Sequence, residues 1–164
     1  MFHNVLMVLE LLTRHRNLLK KKEKAYVISL CITLVHISEW GANDLDEYFK
    51  ITLAQNAEIL ANLSDDDEKI VEVLVSSKKV IPFMMSYMDW NSPFMYKNMQ
   101  INHHMHKLLS FVGNISAFEN AAIINQLIDQ GIMYKLGMYL CSDSEKMSDR
   151  ALWIYSNIVV SKNQ

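Results

Sequence analysis

Three stretches of this chain share one frame. Trp153-Ile-Tyr-Ser-Asn157-Ile-Val, Ser110-Phe-Val-Gly-Asn114-Ile-Ser and Glu58-Ile-Leu-Ala-Asn62-Leu-Ser each carry apolar residues, a small residue, an asparagine and a further apolar residue. Asn157 follows Asn114 by 43 residues, and Asn114 follows Asn62 by 52. A period of about 40 to 47 residues is that of solenoids built from two or three helices per repeat. It constrains the fold strongly, because such a repeat can bury its apolar face only against its neighbours.

What precedes the frames repeats as well. Asp67–Val75 is followed by Val80–Met88, and Glu119–Gly131 by Ile132–Leu140. In both, a short helix ends in a turn, a second apolar helix follows, and a third ends in the asparagine frame. With 51% hydrophobic residues and only four Gly and two Pro, the scarcity of breakers favours an all-α protein. The expected organisation is a single domain, 1–164. Residues 1–64 form a degenerate or capping repeat, 65–117 a repeat with an inserted loop at 89–98, and 118–161 a further repeat. Terminal repeats of solenoids are commonly atypical, and His36 to Asn62 spans only 26 residues.

The last helix carries the sharpest functional signal. Ala151, Leu152, Tyr155, Ile158 and Val159 recur at helical spacing and predict its apolar stripe. Trp153 and Asn157, four apart, sit one above the other on a neighbouring face. An indole beside a carboxamide makes a ledge for an extended peptide. The ring packs on aliphatic stems, and the amide bonds backbone groups.

Ile128-Asp-Gln-Gly-Ile132, Val112-Gly-Asn-Ile-Ser116 and Ala151-Leu-Trp-Ile-Tyr-Ser-Asn-Ile158 together resemble the armadillo repeat, and within it importin-α. The resemblance covers roughly Asp65 to Ser161. It implies a right-handed α-solenoid of about three to four short repeats that binds extended peptides along a groove lined by third helices. Trp153 and Asn157 match the family's Trp–Asn ladder as a full pair. Asn114 and Asn62 match its Asn position, with Ser110 and Glu58 standing where the family has Trp, and His36 falls on the Asn position of the first repeat. A groove with one Trp lacks the successive ledges that hold lysine stems.

Other stretches weigh less. Arg14 to Lys24 is basic and reads as a solvated helix junction. Ala25 to Ser38 is apolar nearly all round and predicts a central helix. Ser64 to Glu68 is acidic and suits a helix start. Trp90, Phe94 and Tyr96 flank Pro93 on the inserted loop and are a second candidate contact surface. His103, His104 and His106 lack the further ligands a zinc site needs, so no metal is expected. Gly113, inside a helix, suggests close approach of a neighbour. Cys31 and Cys141 stand on apolar stretches and read as buried thiols of a reducing compartment.

A net charge of −2 implies no bulk attraction to nucleic acid or membrane. The apolar start precedes its basic residues, the wrong order for a secretory signal, and no stretch reaches the roughly 18 apolar residues of a membrane span. An intracellular protein, cytoplasmic or nuclear, is expected, with organelle import open. No phosphate-cradling loop, nucleophile elbow or H-E-x-x-H occurs, so neither catalysis nor a cofactor is expected. Two functions remain. One is a scaffold or adaptor subunit of a larger assembly, contacting a protein or extended peptide. The other is an importin-α-like adaptor for nuclear localisation signals.

Overall fold

Two triads of helices follow one another with the same cadence. In the computed structural model, α3 (Glu68–Ser76), α4 (Val80–Tyr87) and α5 (Met99–Ser116) have 9, 8 and 18 residues. Their counterparts α6 (Ala121–Asp129), α7 (Ile132–Leu140) and α8 (Glu145–Lys162) have 9, 9 and 18. Before them come α1 (Phe2–Arg14), a helical stretch at 22–27, and α2 (Glu47–Leu63). The structure describes residues 2–15, 19–20, 22–27, 29–30, 47–65, 68–78, 80–88, 99–118 and 120–162. Among them no strand occurs, and no helix is long and apolar enough to cross a membrane. His36, Cys31, most of the 25–38 stretch, and Trp90, Phe94 and Tyr96 on the 89–98 loop lie outside the described residues.

The chain divides into two units, Met1–Val80 and Ile81–Gln164. In the first, α1 packs on α2. Leu9 and Thr13 are buried on α1, with Ile59, Leu60 and Leu63 on α2. Arg14 closes α1 with a cation in its last turn, where the helix dipole favours one. It bonds Glu10 Oε1 at 2.7 Å, one turn back. On α3, Ile70, Val71, Leu74 and Val75 form the buried face. The expected all-round burial of the 25–38 helix does not extend to its described part, where Val27 is buried and Tyr26 and Leu30 are exposed.

In the second unit, α8 packs on α5 and on α7. Phe111, Leu108, Leu109, Val112 and Ile115 of α5 are buried, as are Leu127 of α6 and Leu136 and Tyr139 of α7. Burying one such side chain contributes roughly 1.5–3 kcal/mol. Tyr139 donates its hydroxyl to the Met88 carbonyl at 3.1 Å, so this core tyrosine has a partner for its polar end. Asn120 caps α6 by accepting from the N–H groups of Ala122 and Ile123. The turn into α7 places Gly131 at φ 80°, a left-handed conformation costly to a residue with a Cβ.

The buried face of α8 differs from the expected stripe. Met147, Ala151, Ile154 and Ile158 are the buried residues. Leu152, Tyr155 and Val159, assigned to the stripe from spacing, are 57%, 40% and 38% exposed. This helix carries apolar residues on two faces, and Ile154, not Leu152, points at α5 and α7. Cys141 is also a correction. Expected to be buried, it caps the exposed end of α7.

Candidate functional site

The site is built where α8 lies on α5. Gly113 makes the approach possible. A Cβ added there would fall 2.0 Å from Cζ3 of Trp153 and 2.6 Å from its Cε3, so the indole fills the space where a side chain would begin. The close approach suggested by a mid-helix glycine is therefore made by Trp153.

Asn157, one turn further along α8, reaches the same part of α5. Its Nδ2 donates to Ser116 Oγ at 3.2 Å and lies 3.5 Å from the Gly113 carbonyl. Ser116 is fully buried and donates in turn to the Gly113 carbonyl at 2.8 Å. The carboxamide of Asn157 thus fastens α8 to the end of α5. Asn62 does the equivalent in the first unit, where its Nδ2 donates to Thr13 Oγ1 at 3.4 Å, from the last turn of α2 to the last turn of α1. Beside it Glu58 is buried, with Oε1 3.8 Å from Arg14 Nη2. The polar atoms of Asn62 and Glu58 are therefore turned toward α1. Asn114 and Ser110 are half-buried on α5, and the Ser110 hydroxyl donates to its own helix at the His106 carbonyl, 2.8 Å.

Toward the start of both helices, α5 and α8 line a cleft of about 760 Å³. His106 and Lys107 come from α5, and Lys146, Asp149, Arg150 and Trp153 from α8. Residues 106–107 meet 146–153 at one end, and 113–116 meet 157 at the other. The two helices therefore run parallel, offset by one repeat. The Arg150 guanidinium sits 5.0 Å from the centroid of the Trp153 ring, within cation–π range. Sequence reasoning missed Lys107, Lys146 and Arg150. Arg150 follows Lys107 by 43 residues, the same offset as Asn157 from Asn114, and that was the available signal.

No protein-family model matches the sequence, and no curated protein matches it either. Solved structures do. An engineered protein from a structural genomics consortium matches at TM-score 0.69 and 16% identity, over 95% of this chain and 56% of its own. A designed armadillo repeat protein matches at TM-score 0.64 and 13% identity, over 85% of this chain and 52% of its own. The fold is an armadillo-like α-solenoid. The chain spans a little more than half the length of these neighbours, and at such identities the likeness fixes the fold alone.

Proposed function

We propose that this chain is a non-catalytic interaction module, a scaffold or adaptor subunit that contacts a protein or an extended peptide within a larger assembly. The observation that carries the reading is the cleft between α5 and α8, with Trp153 in its wall. Parallel third helices one repeat apart leave an open channel between side chains, and a half-buried indole offers apolar contact there at low entropic cost. A cytoplasmic or nuclear residence goes with this reading.

Photo-crosslinking tests it. A benzophenone side chain is placed at Lys146, beside the cleft, and at Glu72, on the exposed side of α3, in the chain expressed in its own cells. A protein joined reproducibly from position 146 and not from 72 is the expected result. Equal or no capture from both positions would sink the reading.

The Trp153–Asn157 pair favours a second reading, a groove for basic nuclear localisation signals. Two features weigh against it. The Asn157 Nδ2 is engaged by Ser116, and Lys107, Lys146 and Arg150 line the cleft. Titration with a lysine-rich peptide decides the matter. Micromolar binding, lost in Trp153→Ala and Asn157→Ala, would establish that reading.

A further inference from the structure

The chain carries a net charge of −2, yet among the described residues its cleft is lined by Lys107, Lys146 and Arg150 and by one carboxylate, that of Asp149. From this reversal of sign we infer that the cleft takes an acidic peptide segment of a partner protein, rich in Asp and Glu. The inference rests on the interaction-module reading and names the chemistry of its partner.

Three features support it. Lys146 and Arg150 are one turn apart on α8, and Lys107 stands across from them on α5. Cations on two walls of one cleft grip successive carboxylates of a chain laid between them, and complementary sign raises both encounter rate and selectivity. The Trp153 ring holds Arg150 through its face. That attraction uses none of the five guanidinium N–H donors, which fit a carboxylate fork. A volume of about 760 Å³ falls in the range of ligand clefts, roughly 300–1,000 Å³, and is large for a lone carboxylate. A basic peptide would meet like charges here. Among the described lining residues a nucleic acid would find one ring, already faced by Arg150, where single strands want a succession of stacking platforms.

The test uses the whole chain and a fluorescein-labelled twelve-residue peptide of alternating Glu, Asp and Leu, read by anisotropy at about 50 and 300 mM salt, with a Lys-for-Glu/Asp peptide and an oligouridylate as competitors. The expected result is saturable binding of the acidic peptide that weakens at least tenfold in Lys146→Glu/Arg150→Glu and at high salt, with neither competitor displacing it. Should the double variant fail to fold by circular dichroism, Lys146→Gln and Arg150→Gln are read singly, each expected to lose about threefold. Absence of saturable binding, equal affinity in the variants, or tighter binding of the basic peptide or the oligonucleotide overturns the inference. Capture from position 146 together with no binding of the acidic peptide would refute the acidic preference and leave the interaction-module reading standing.

Discussion

The six-membered ring of Trp153 occupies the place where a side chain on residue 113 would begin, with Cζ3 2.0 Å from an ideal Cβ. The helix-breaking tendency of Gly113 and the bulk of Trp153 are two halves of one contact. Gly113→Ala gains about 1 kcal/mol of helix propensity and meets an overpacking cost of about 1–3 kcal/mol. A net loss of up to about 2 kcal/mol is expected in urea unfolding, together with a shifted tryptophan emission. Adding Trp153→Leu should restore part of it. An alanine variant more stable than the parent would show that the contact yields freely.

Asn157 and Ser116 form a hydrogen-bonded pair across the α5–α8 packing. A double-mutant cycle with Asn157→Ala and Ser116→Ala should give a coupling of about 0.5–1.5 kcal/mol. If the asparagine acted only on an outside ligand, the coupling would be near zero.

The face of α8 that enters the core is set by Ile154, which is fully buried, while Leu152 is more than half exposed. Ile154→Ala should cost about 2–4 kcal/mol. Leu152→Ala should stay within about 0.5 kcal/mol of the parent. Equal losses at the two positions would put the helix in a different rotation.

Tyr139 is fully buried and bonds the Met88 carbonyl. Tyr139→Phe keeps the packing but leaves that acceptor without its hydroxyl donor, and should lower stability by about 1–2 kcal/mol. A neutral change by calorimetry would mean that another donor replaces it.

The repeat was legible because its signals are local. The Asn114 and Asn157 frames recur, and they, the Gly131 turn and the Gly113 gap can each be read from a few neighbouring residues. The rotation of α8 was not legible. Apolar residues at 151, 152, 154, 155, 158 and 159 support two stripes, and only the position of α5 and α7 chooses between them. The same holds for the asparagines. Spacing places Asn62 and Asn157 on a helix face but does not say whether that face looks at a ligand or at the next helix. The cationic cleft joins residues some forty positions apart, so it becomes visible only once α5 and α8 are known to lie parallel.

That parallel offset also sets how the chain must close on itself as it folds. The side-chain bonds from Asn62 to Thr13, Tyr139 to Met88, and Asn157 to Gly113 and Ser116 span 49, 51, 44 and 41 residues. Each tie closes a loop of about one repeat, and loop-closure entropy depends only on the logarithm of loop length, so these closures cost nearly the same. Appending further repeats would add closures of this same size and would not demand longer ones. The folding rate of such a chain should then be set by a single repeat closing on its neighbour, largely independent of how many repeats the chain contains.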